Sequence, residues 1–163
     1  MSYFLQAVNG CITSKFRNTG QTCICPNRIY VHSSVYAEFR DRLKEKVTAL
    51  RIGDPLDESN QLGPLIHQNA QKKVSRIVDK SVAQGARIVV GGKIPESPGN
   101  GFFYEPTILE DVQPSMPCCE EEIFGPVAPL VKFDTTEEVI DMANDVSAFP
   151  LDVFTKSAHT RTH

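Results

Sequence analysis

Segments with the apolar spacing of a helix alternate along this chain with short β-branched runs, and that alternation restricts the fold more than any other feature. Leu5, Val8, Ile12 and Phe16 recur at intervals of three and four, which predicts a helix over residues 3–18. Arg28-Ile29-Tyr30-Val31-His32 reads as a strand. Ser33 or Ser34 then offers an oxygen to cap a second helix that runs to about Leu50, with Val35, Phe39, Leu43, Val47 and Leu50 on its inner side. Gly53, Pro55, Gly63 and Pro64 make residues 51–64 a loop. A third helix is expected over residues 67–84, with Ala70, Val74, Ile77, Val78 and Ala83 facing inward, His67 on its surface and Gly85 ending it. Arg87-Ile88-Val89-Val90 reads as a short strand, and residues 94–101, with two Pro and two Gly, as a surface turn. Phe102 to Leu109 is extended, and Pro106 within it predicts a sheet edge. Val127 to Phe133 reads as a strand, and Thr135 to Asn144 as a helix with Thr135 and Glu138 at capping-box spacing. The expected fold class is therefore α/β: a layered domain with a mainly parallel sheet flanked by helices.

Bulk properties narrow the class of function. A chain of 163 residues with 40% hydrophobic and 23% charged residues is suited to one globular domain with a proper core. The net charge of −3 argues against nucleic acid or an anionic membrane as partner. No apolar run approaches the roughly 20 residues of a spanning helix, and the N-terminus lacks a secretory pattern. Five Cys, an odd count without a regular framework, suit a reducing compartment: the cytoplasm, with the mitochondrial matrix as the alternative. Cys23 with Cys25 and Cys118 with Cys119 are too few and too closely set for a tetrahedral zinc site, so no metal is expected.

One stretch carries chemistry: Lys15-Phe16-Arg17-Asn18-Thr19-Gly20-Gln21-Thr22-Cys23-Ile24-Cys25. Gly20 permits a sharp turn just before Cys23, which would set the sulfur at the end of an element. Burial as a small apolar residue is the usual fate of a free Cys. The polar run from Arg17 to Thr22 is foreign to a core and argues for a reachable thiol whose thiolate is favoured by amide N–H groups and cations.

Phe16-Arg17-Asn18-Thr19-Gly20-Gln21-Thr22-Cys23 resembles the nucleophile segment of the aldehyde dehydrogenase superfamily, in the form of its succinate-semialdehyde dehydrogenase branch. Glu121-Glu122-Ile123-Phe124-Gly125-Pro126 resembles a second motif of that family. Gly63-Pro64-Leu65-Ile66, Gly91-Gly92-Lys93 and Phe103-Tyr104-Glu105-Pro106-Thr107 fall between the two in the family's order, and the resemblance covers nearly all of residues 3–145. It implies that Cys23 attacks an aldehyde carbon to form a thiohemiacetal and then a thioester, with amide N–H groups holding the oxyanion. It implies that Arg17 pairs with a distal carboxylate of the substrate, such as succinate semialdehyde. It implies that Glu122 and Phe124 hold the nicotinamide ribose of NAD or NADP, and that Cys25 forms a reversible disulfide with Cys23. Read from the residues alone, Arg17 also fits a surface ion pair, Cys25 a buried small residue, and Glu120-Glu121-Glu122 an acidic loop start.

On this resemblance residues 1–146 are the nucleophile-bearing catalytic domain and residues 147–163 a divergent, shortened tail, in which Phe149-Pro150-Leu151-Asp152 departs from the family pattern. The family's dinucleotide-binding half, its general-base Glu and its oxyanion Asn would lie upstream. The chain alone is therefore expected to be inactive. Two other readings stay open: a non-enzymatic protein that docks on a full-length relative or on a second copy, and a thiol redox module using Cys23 and Cys25.

Overall fold

The structure, a computed structural model, describes residues 3–96, 100–145 and 151–154. The alternation is realised as α1 (Tyr3–Phe16), β1 (Arg28–His32), α2 (Ser33–Thr48), α3 (Gln68–Ala83), β2 (Arg87–Val90), β3 (Thr107–Glu110), α4 (Pro117–Glu120), β4 (Val127–Phe133), α5 (Thr136–Asn144) and β5 (Leu151–Phe154), with a 3-10 turn over Arg17–Gly20. The strands form a sheet in the order β2-β3-β4-β1-β5. β1 is parallel to β4 and β5, β3 is parallel to β4, and β2 is antiparallel to β3.

Neighbouring strand residues point to opposite faces, and here both faces are covered. Ile29 and Val31 of β1 with Ala128 and Leu130 of β4 pack against Val8 and Cys11 of α1 and Val35, Phe39 and Leu43 of α2. On the other face Tyr30, Val127, Val131 and Phe133 meet Val74, Ile77 and Val78 of α3 and Val139 of α5. Full burial of each Val, Leu, Ile or Phe among these contributes about 1.5–3 kcal/mol of transfer free energy. No helix among the described residues is long and apolar enough to cross a membrane.

Several expectations are corrected in detail. His32, not Ser33 or Ser34, caps α2: its Nδ1 accepts from the Ser34 N–H at 3.1 Å, because Ser33 already has helical geometry. His67 likewise caps α3, accepting from Ala70 N–H at 2.9 Å, instead of lying along the helix surface. In α3 the buried register runs to Ser81, whose hydroxyl donates to Ile77 O at 2.8 Å, and Ala83 is exposed. The segment around Pro106 does not lie at a sheet edge. β3 starts at Thr107 and sits between β2 and β4, so Pro106 precedes the ladder and its missing N–H costs no strand bond. The capping box of α5 is present, with Thr135 Oγ1 accepting from Glu138 N–H at 3.1 Å. β5 adds a strand beside β1 from residues assigned to the tail. Residues 146–150 and 155–163, with most of that tail, and residues 97–99 of the surface turn lie outside the described residues.

Candidate active site

β1 and β4 lie side by side and parallel, with Ile29 opposite Leu130. The segments that lead into two parallel neighbours must meet at one end of the sheet. The nucleophile stretch leads into β1, and Glu121 to Pro126 leads into β4. The candidate site therefore forms outside the amino ends of the strands, whereas ligands of open α/β sheets usually gather outside the carboxyl ends.

The nucleophile stretch is bent more tightly than a single Gly would bend it. α1 stops at Phe16, two residues before the expected end, because Asn18 (φ 48°), Thr19 (φ 57°) and Gly20 (φ 74°) are all left-handed. That conformation costs roughly 1–2 kcal/mol for a residue with a Cβ, and most for a branched one. Hydrogen bonds offset the cost. Gln21 N–H donates to Asn18 O at 3.0 Å, and Thr19 Oγ1 donates to Gly63 O at 3.0 Å. Gln21 Nε2 donates to Pro64 O at 3.3 Å while its Oε1 accepts from Ile66 N–H at 2.9 Å. The Gly63-Pro64-Leu65-Ile66 segment is thus a brace for the turn. Gly20 also rests against Gly125: a Cβ at Gly20 would overlap the Gly125 carbonyl. Cys25 N–H then closes a turn on Thr22 O at 3.0 Å, with Cys23 and Ile24 at its tip. Cys23 is exposed and Cys25 is buried, its sulfur 3.1 Å from Thr22 Oγ1.

The second segment is held as firmly. Asn27 Nδ2 donates to Glu121 O at 2.9 Å, and Asn27 Oδ1 accepts from Ile123 N–H at 3.0 Å. Arg76 of α3 makes a two-pronged ion pair with Glu121, one arm at 2.9 Å, and holds that carboxyl below the usual carboxylate range. Phe124 is left-handed (φ 50°) and its ring is partly exposed.

Cys23, Cys25, Glu122 and Phe124 line one shallow depression, joined by Lys15 and Asn27. Arg17 is exposed and is not part of this lining; its carbonyl lies 4.0 Å from the Cys25 sulfur. Lys15 opens the stretch singled out in the sequence but was given no role there, and Asn27 lay beyond it. Lys15 is 1% exposed, which is rare for a lysine, and a lone Lys or Asn carries no spacing that marks it. Cys118 and Cys119 are buried on α4 and are not part of the depression's lining. Hydrogen bonding to Cys118, together with burial, keeps the Cys119 thiol protonated, a poor nucleophile.

Residues 4–159 match the sequence profile of the Aldehyde dehydrogenase family. The chain belongs to this family. It is 48% identical over 159 residues to a succinate-semialdehyde dehydrogenase [NADP(+)] of Schizosaccharomyces pombe, covering 97% of this chain and 32% of that protein. It is 47% identical over 140 residues to a glutarate-semialdehyde dehydrogenase of Pseudomonas putida, covering 86% of this chain and 28% of that one. Its fold superposes on the crystal structure of a succinate-semialdehyde dehydrogenase of Burkholderia pseudomallei with a TM-score of 0.89 at 40% identity, covering 96% of this chain and 32% of that structure. The chain spans about a third of the length of these relatives. Its described α/β sheet with flanking helices is a portion of the aldehyde dehydrogenase fold.

Proposed function

We propose that the depression is the thiol half of a site that oxidises a small aldehyde bearing a distal carboxylate, such as succinate semialdehyde, to the acid with NAD or NADP. The observation that carries this reading is an exposed Cys23 thiol sharing one depression with Glu122 and Phe124, which come from the other end of the chain. Cys23 Sγ, as thiolate, adds to the carbonyl carbon and stays bound while that carbon is oxidised. The Gln21 and Cys25 N–H groups are taken up by Asn18 O and Thr22 O, so the other amides of the turn would hold the oxyanion that forms. Hydrolysis of the thioester releases the acid and returns the thiol. Glu122 offers carboxylate oxygens to ribose hydroxyls, and Phe124 an apolar ring beside them; both are exposed enough to take up those contacts. The dinucleotide, when bound, supplies the acceptor for the hydride that the carbon gives up. Arg17, exposed at the head of the turn, presents a planar donor fork to the far carboxylate.

The test needs no turnover. Succinate semialdehyde is expected to protect Cys23 from alkylation better than butanal does, by about tenfold in concentration, as a charge-assisted contact would give. Arg17→Ala should erase that difference. Equal protection by both aldehydes in the unmodified chain would remove the carboxylate assignment, and protection by neither would remove the nucleophile.

A further inference from the structure

We propose that Asn27 is a positioning residue for Glu122: its carboxamide clasps the backbone on both sides of that residue and so holds the carboxylate beside Cys23. This deepens the reading above and rests on it. Asn27 is 4% exposed, so its amide must find partners inside the protein. It finds them on the residues before and after Glu122, donating to Glu121 O at 2.9 Å and accepting from Ile123 N–H at 3.0 Å. Its Nδ2 also approaches Cys118 O at 3.5 Å. Glu122 therefore sits between two tied backbone positions while its own side chain is exposed.

The neighbouring acid is removed from play by a separate device. Arg76 binds the Glu121 carboxylate, so of this adjacent pair it is Glu122 that lines the depression. Asn27 itself lies between the nucleophile stretch and β1, four residues after Cys23 and one before the strand. One buried amide thus couples the thiol's own segment to the segment that carries the carboxylate. Neither Ala nor Ser can span both partners.

The test reads the electrical surroundings of Cys23 rather than activity. Rates of Cys23 modification by cationic and anionic methanethiosulfonates of equal size are compared at low ionic strength, with peptide mapping to isolate Cys23. Lys15 lines the depression as well as Glu122, so the cationic-to-anionic rate ratio of the unmodified chain is the reference preference, and Glu122→Gln should lower it about fivefold, as one charge a few ångströms away would. Asn27→Ala should lower it by a similar factor. The double variant Asn27→Ala, Glu122→Gln should fall no further than Glu122→Gln alone. Exchange of the Ile123 amide should rise in Asn27→Ala while amides of β1 and β4 keep their protection. Should Asn27→Ala not fold, Asn27→Ser is read in the same way. A normal preference in the Asn27 variant beside a lost one in Glu122→Gln overturns the role of Asn27 and leaves the shared site standing. A further fall in the double variant also overturns it, since Asn27 would then act other than through Glu122. No effect of Glu122→Gln overturns the shared site itself, and the proposal with it.

Discussion

Cys23 is exposed while Cys11, Cys25, Cys118 and Cys119 are buried, and reactivity of a thiol needs both access and thiolate. Iodoacetamide should therefore label Cys23 at least about tenfold faster than the other four, as peptide mapping with time will show. Labelling of Cys118 first would break the assignment. Peroxide tests the pair of thiols. The turn closed by Cys25 N–H on Thr22 O bends the chain at Cys23 and Ile24, as a bridge between residues two apart requires. Oxidation of Cys23 to the sulfenic acid, followed by attack of Cys25 with loss of water, should give a disulfide that dithiothreitol reverses. Cys25 must first leave its contact with Thr22, so mass spectrometry should find the sulfenic acid ahead of the disulfide. Accumulation of sulfinic acid with Cys25 still free would leave Cys25 a packing residue. Cys23, Arg17, Glu122 and Phe124 stand out in the sequence because each lies within a run of distinctive neighbours; the structure brings Cys23, Glu122 and Phe124 to one depression and leaves Arg17 outside its lining. Asn27 does not stand out: an Asn between Pro26 and Arg28 shows its purpose only once Glu121 and Ile123 are seen across from it.

The turn of Arg17–Gly20 and the loop before β4 behave as one element, because Gly20 and Gly125 are in backbone contact. Gly20→Ala adds a methyl both at a left-handed position and against a backbone carbonyl that has no rotamer to yield. It should cost about 3 kcal/mol in urea unfolding and change the rate of Cys23 labelling. Gly10→Ala is the control: it lies within α1 with open space around its would-be Cβ and should stabilise by about 0.5–1 kcal/mol. A Gly20→Ala chain as stable as the original would show that the two segments are not pressed together. The helices α1, α2 and α3 were readable from the spacing of their apolar residues, α5 from its capping box, and β1 and β4 from short runs without the period of two that one-sided burial would leave. The caps at His32 and His67 were not, because imidazole is an uncommon acceptor at a helix start. The interior place of β3 was obscured by Pro106, whose penalty applies to ladder positions and not to the residue just ahead of them. Nor was α4 visible, as four residues show no period.

For the whole chain, the expected outcome with succinate semialdehyde and either dinucleotide is no NADH or NADPH signal from these 163 residues by themselves. On the proposed function Glu122 and Phe124 would meet the nicotinamide end of the dinucleotide, but Gly91-Gly92 follow β2 without leading into a helix, so they do not form a phosphate-seating turn. Loss of orientation alone forfeits about 7–11 kcal/mol of barrier lowering. Absorbance at the nicotinamide band settles the point, and a signal that vanishes in Cys23→Ala would contradict it. The parallel pairing of β1 with β4 has a consequence for how the site comes into being. Ile29 and Leu130 are partners across most of the described chain, so Cys23 leaves the ribosome long before Glu122 exists to stand beside it. During that interval the thiol has only its own segment around it, without Glu122 or Phe124, and non-local pairing of this kind is the slow part of folding. The same pairing makes the site indifferent to the length of what lies between. Residues added between Pro55 and Ser59, clear of the Gly63–Ile66 brace, would lengthen the chain from thiol to carboxylate, yet the distance across the depression would stay as the ladder sets it.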